Sequence, residues 1–141
     1  MNPSKIRTFL DSGVLITSAR SASPDRGAAI SILEDRNRTF LASPLLALEI
    51  LPKASYYGQR LESAFYERYL ASAVMYRGLY RIERIAREEA SRCGMAALDA
   101  LHVAAAFLLK ADELITTEKP SKPIYRTALV KVRSLFSLSE A

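Results

Sequence analysis

Three short runs rich in β-forming residues, RTFLD at 7–11, RTFLA at 38–42 and ELITTE at 113–118, are separated by stretches of helical period far too long for hairpin turns. A fourth run, ALVKVRSL at 128–135, has the look of a last strand. Strands joined through helices need crossover connections. The chain is therefore expected to be α/β, with a small, mainly parallel central sheet inside a helical coat as three α/β/α layers. Sheets of that kind place ligands at the carboxyl ends of their strands.

The helical segments carry their own punctuation. Ser23 and Pro24 give an N-cap and first-position signal for a helix running to about Asp35. Ser43-Pro44 repeats the signal and opens LLALEILPKAS, whose apolar residues lie on nearly every side, which predicts a buried helix. QRLESAFYERYLASAVMY is a long amphipathic segment ending at Gly78, followed by LYRIERIAREEASRC as a short extended piece and a helix ending at Gly94. AALDALHVAAAFLLK forms the last long helix. No repeat, low-complexity tract or linker divides the 141 residues, so a single domain over 1–141 is expected.

The most apolar segment, ALDALHVAAAFLLKA, is shorter than the roughly 20 residues of a membrane span and carries Asp99, His102 and Lys110. MNPSKIRTFLDS does not resemble a secretory signal. A cytoplasmic protein with no membrane partner is expected. The single cysteine excludes an internal disulfide, and with a single histidine there is no Cys/His zinc cluster. Cys93 then reads as a small structural hydrophobe, and any metal must be bound by oxygen.

A net charge of +5 favours an anionic partner. Arg60, Arg68, Arg77, Arg81, Arg84, Arg87 and Arg92 are interleaved with Tyr56, Tyr57, Tyr66, Tyr69, Tyr76 and Tyr80. That mixture suits single-stranded RNA, through forked phosphate contacts and base stacking. It suits equally a solvated helical face on which Glu62, Glu67, Glu83, Glu88 and Glu89 pair with the arginines.

Four acids interrupt segments that otherwise look apolar or sit near strand ends. Asp11 ends the first strand inside FLDSGVLI, and Glu118 ends ELITTE, so a parallel sheet would bring both to one edge. Glu49 is the only charge in SPLLALEIL, and Asp99 the only acid in MAALDALHVAAAFLL, with His102 one turn later. Each has an ordinary explanation: a turn cap for Asp11, the helix dipole for Asp99, a surface loop for Glu118. Glu49 is harder to place so, because a buried glutamate needs a cation or a donor network. Carboxylates brought together repel one another unless a cation intervenes. Mg²⁺ or Mn²⁺ resolves the conflict and supports phosphodiester cleavage by positioning phosphate, neutralising charge and activating water.

LDSGVLI resembles the opening motif of PIN domains, ASPLLALEIL is similar to their second motif, and ALDALHVAAAFLLKADELITTEKP looks like their third and fourth. The resemblance runs from about Thr8 to about Arg133, and the order and spacing of the motifs carry it. It implies a small doubly wound sheet and a Mg²⁺- or Mn²⁺-dependent ribonuclease, with VapC-type toxins of toxin–antitoxin pairs among the relatives. Asp11, Glu49 and Asp99 match the core acids and Glu118 the fourth. Ser12 matches a hydroxyl residue that orients the first acid. Thr116 and Thr117 border the fourth acid, where they could bond it or a phosphate. The family often has Asn at Gly13 and Asp at Glu118, which gives the fourth acid a longer reach here. His102 fits a core or supporting position better than that of a general base.

The implied function is a metal-dependent endoribonuclease on single-stranded or loop RNA, with an antitoxin and a second copy of the chain as candidate partners; similar toxins often form dimers, and the helices from about Gln59 to Tyr80 suit a dimer interface and an intramolecular core equally. The alternatives are a non-catalytic PIN module binding RNA or a protein partner, and a phospho-acceptor domain of the receiver type. The last lacks the paired acid just before Asp11.

Overall fold

A computed structural model describes residues 5–20 and 22–138. Residues 1–4, part of the stretch compared above with a secretory signal, lie outside them. The elements in chain order are β1 (Ile6–Leu10), α1 (Ser12–Ala19), α2 (Arg26–Leu33), β2 (Arg38–Ala42), α3 (Pro44–Tyr56), α4 (Arg60–Ser72) and β3 (Val74–Met75). There follow α5 (Leu79–Cys93), α6 (Ala97–Leu108), β4 (Glu113–Thr116), a 3-10 turn (Pro123–Arg126), β5 (Val132–Ser134) and α7 (Leu135–Leu138).

The strands form one sheet in the order β3-β2-β1-β4-β5, every neighbouring pair parallel. Along β1, β2 and β4 successive residues point to opposite faces, and both faces are apolar, as a parallel sheet covered on both sides requires. Phe9, Leu41 and Leu114 pack with Ile82 and Ala86 of α5 and with Val103 and Ala106 of α6. Leu10, Ala42 and Ile115 pack on the other side with residues of α1, α2, α3 and α4, among them Val14, Ile32, Leu46 and Tyr66, and with Leu135. The three-layer α/β/α arrangement is thus present. The strand order reverses between β1 and β4, which makes the crevice beyond their carboxyl ends the switch point of the sheet.

A polar clamp ties four strands together elsewhere. Buried Glu113 accepts from Arg38 Nη1 at 2.6 Å and Arg133 Nη1 at 2.9 Å, and Arg38 also reaches Thr8 Oγ1 at 2.9 Å and Asp35 at 3.0 Å. Both carboxylate oxygens of Glu113 are therefore matched by arginine donors.

Several boundaries differ from the sequence expectation. SGVLITSA, to which the sequence pattern assigns no element, forms α1, capped by Asp11, whose Oδ1 accepts from Val14 N at 3.1 Å. The helix expected from Ser23 begins at Arg26, because the Ser23 hydroxyl accepts from Asp25 N in a turn. α3 is not buried all round. It lies on the outside of the layer, facing inward with Leu46, Ile50 and Ala54 while Leu48 is 69% exposed.

The amphipathic segment ends at Ser72, and its tail becomes the edge strand β3. α5 then starts directly at Leu79 without an extended piece. It ends as expected at Gly94, whose φ of 72° is the left-handed conformation that glycine adopts without strain. β4 stops at Thr116, so Glu118 stands two residues beyond the strand rather than at its end.

A candidate acidic centre at the sheet's switch point

Asp11 follows β1 directly, and its backbone N–H continues the ladder to Ile115 O at 3.1 Å. Its carboxylate is buried and doubly held: Val14 N–H donates to Oδ1, and the Thr116 hydroxyl donates to Oδ2 in a short contact. Burial pushes this carboxyl up to about 6, against the lowering effect of those two hydrogen bonds and of His102, and Asp99 adds repulsion. The turn-cap explanation and the place at the strand ends both hold for Asp11, since one carboxylate does both.

Thr116 is the pivot on the β4 side. While donating to Asp11, its Oγ1 accepts the Glu118 backbone N–H at 3.0 Å, which folds the chain back over the strand ends. Glu118 O accepts from the Tyr125 hydroxyl at 2.9 Å, tying the loop to the 3-10 turn. Thr116 thus bonds the first acid and the backbone of the fourth.

Thr117 sits against Gly13. A Cβ at Gly13 would collide with Thr117 Oγ1 and stand 3.2 and 3.3 Å from its Cβ and Cγ2. The glycine in FLDSGVLI is the residue that admits this close approach.

Glu49 and Asp99 arrive from opposite helical layers. Glu49 Oε1 lies 2.7 Å from His102 Nε2 of α6, where the two layers meet. Partial burial raises the Glu49 carboxyl, but the bonds from His102 and the Ser12 hydroxyl outweigh it and hold the group below the usual glutamate value. Ser12, next to Asp11 in sequence, also acts on the Glu49 carboxyl. His102 is buried as expected, and it is also a bonding partner of Glu49.

Asp99, in the first turn of α6, is pushed up by burial and by the repulsion of Glu118 and Glu49, with His102 and Lys122 partly offsetting this. Asp99 is linked to each of the others: Glu118 and Glu49 raise it, and it in turn raises Asp11. Among the described residues, however, no three His, Cys, Asp or Glu side chains stand close enough to cage a metal ion.

Two neighbours of the cluster were not foreseen. Tyr125 is raised by its partial burial and by the charges of Asp11 and Glu118, and Lys122 supplies the nearby positive charge on Asp99. Both lie in KPSKPIYRTA, a Pro-rich loop whose path no periodicity announces.

The arginine and tyrosine array divides. Tyr66 and Tyr69 are core residues, bonding Glu62 and Leu41 O, and cannot stack on a base. Tyr56, Tyr57 and Tyr80 are 63–82% exposed, and the seven arginines are exposed. Arg87 and Arg92 pair along α5 with Glu83 and Glu89.

No protein-family model matches the sequence, and no curated protein matches it. Solved structures do match in fold. A VapBC2 complex of Rickettsia felis bound to a promoter DNA fragment superposes with a TM-score of 0.69 at 14% identity, over 92% of this chain and 98% of that one. A toxin–antitoxin complex from Klebsiella pneumoniae gives 0.65 at 20% identity, over 87% and 94%. DNA-bound VapBC from Salmonella typhimurium gives 0.67 at 12% identity, over 92% and 98%. These matches, together with the parallel sheet and its helices, show that the chain has a PIN-like fold. Among the described residues no helix is long and apolar enough to cross a membrane.

Proposed function

We propose that this protein is a divalent-metal-dependent endoribonuclease, the toxin member of a toxin–antitoxin pair, with Asp11, Glu49, Asp99 and Glu118 as its catalytic and metal-holding acids. The observation that carries the proposal is the buried carboxylate of Asp11 at the end of β1, held by Val14 N–H and Thr116 at the switch point, with Asp99 of α6 and the Glu49–His102 pair beside it. Such a cluster is costly to keep unless it serves a cation. All the donors are oxygens, which fits Mg²⁺ or Mn²⁺. The lack of a closed three-residue cage fits too, because Mg²⁺ is commonly held by one or two carboxylates and keeps waters and substrate phosphate as its other ligands.

When bound, the ion supplies charge neutralisation for the scissile phosphate and activation of the attacking water. The chain's own residues set the geometry. Thr116 and Val14 N–H hold Asp11, His102 holds Glu49, and Thr116 also accepts the backbone N–H of Glu118. Lys122 places a cation beside Asp99 where an RNA backbone would approach.

The surface that binds RNA is the exposed arginine set with Tyr56, Tyr57 and Tyr80. An antitoxin partner is proposed by the toxin–antitoxin setting of the matched folds, and the exposed Leu48 and Leu61 offer apolar surface for it or for a second copy. The cytoplasm is the proposed compartment.

Structured and unstructured RNAs incubated with Mg²⁺ or Mn²⁺ test the proposal directly. Cleavage should be abolished by EDTA and by Asp11→Asn. Activity indifferent to both contradicts it, and RNA binding without cleavage under any metal condition points to a non-catalytic module.

A further inference from the structure

His102, like Thr116, is a buried polar residue bonded to one of the four acids without being a carboxylate itself. Its side chain is 3% exposed, wedged between the layers with the Phe9 ring 5.7 Å away and tilted by 41°. Nε2 faces Glu49 Oε1 at 2.7 Å, whereas Nδ1 is buried with no partner among the described residues. An imidazole kept only for packing would be a poor choice there, since it desolvates two nitrogens and satisfies one. Its return is the single directed bond to Glu49, which requires the proton on Nε2.

Glu49 needs such a partner. Its side chain is 26% exposed and sits on an outer helix, so an unrestrained carboxylate has room to turn to solvent. We propose that His102 is a positioning residue, whose Nε2–H holds the Glu49 carboxylate in place toward Asp99 for binding the divalent cation. This rests on the assignment of Glu49 to the metal centre. It goes beyond that assignment by giving the protein's single histidine a specific task.

The full chain is tested without RNA, with Mn²⁺ as the probe. Mn²⁺ titration by electron paramagnetic resonance compares the native protein with His102→Leu, which fills the space, and His102→Gln, which restores a donor at similar reach. His102→Leu should weaken Mn²⁺ about 10–100-fold, and His102→Gln should recover to within about threefold of native. A native protein that binds Mn²⁺ together with an unaffected His102→Leu overturns the positioning role alone, as does a His102→Gln variant no better than His102→Leu. A native protein that binds no Mn²⁺ overturns the metal centre and the positioning role with it.

Nuclear magnetic resonance of the one imidazole gives a readout that needs no His102 variant to fold. A slowly exchanging Nε2–H signal is expected, and it should be lost in Glu49→Ala. An Nδ1–H tautomer, or a signal indifferent to Glu49→Ala, overturns the proposal.

Discussion

Replacing Asp11 by asparagine should make the metal-free protein more stable as pH rises, relative to the native chain. Asn keeps an acceptor for Val14 N–H but has no charge to bury. In the native chain the Asp11 carboxyl is raised by burial from 3.8 to about 6. Between those values the folded state keeps a proton that the unfolded state has released, so native stability falls as pH rises through the window and levels off above it. A shift of roughly two units at 1.36 kcal/mol per unit amounts to about 3 kcal/mol. The Thr116 hydroxyl must reorient in the variant, but that cost is the same at every pH and drops out of the slope.

Urea unfolding of both proteins in EDTA, from pH 4 to 8, reads this out. The stability difference, variant minus native, should grow by about 2.4 kcal/mol across the range, since roughly 0.5 kcal/mol of the total is already expressed at pH 4, and nearly all of the growth falls below pH 7. A difference that stays flat, or shrinks as pH rises, refutes the claim that Asp11 is a desolvated carboxylate held at a thermodynamic cost.

Gly13→Ala should destabilise the fold by about 1–3 kcal/mol, measured by urea unfolding, since its Cβ meets Thr117, and Thr117→Gly should relieve much of the loss. Removing the centre of the strand clamp with Glu113→Ala should cost about 3–5 kcal/mol in the same assay, because Arg38, whose side chain is 10% exposed, is left without its best partner. Tyr80→Ala should weaken RNA binding with little change in melting temperature, whereas Tyr66→Ala should lower the melting temperature sharply, as expected of an exposed and a fully buried ring respectively.

What could be read from the sequence was the layering. RTFLA and ELIT are short, β-rich and carry consecutive apolar residues, as strands covered on both faces do, and helical stretches too long for hairpins separate them, so a parallel sheet was the physically available answer. The acids stood out because each broke an apolar run. What stayed hidden depends on contacts between distant segments. Helix α1 is eight residues rich in β-branched side chains, and its start signal is Asp11, a residue that also belongs to the acidic cluster. β3 is two residues that exist as strand only because β2 lies beside them.

The exposure of Leu48 could not be seen either, since apolar periodicity does not say which side of a helix lacks a neighbour. The hydrogen bond from Thr116 to Asp11 joins residues 105 apart in sequence, and the influence of Ser12 on Glu49 depends on α1 and α3 packing together. The pairing of His102 with Glu49 spans 53 residues and left no mark in local pattern.

Crystals of the full chain soaked in Mn²⁺ and measured for anomalous scattering would test the acidic centre most directly. The expected result is a peak in direct coordination with Asp11 or Asp99 and facing Glu49 and Glu118, absent from Asp99→Asn crystals soaked alike. A soaked native crystal with no peak at the switch point, or one whose peak is unchanged in Asp99→Asn, would contradict a divalent-metal centre built from these four acids.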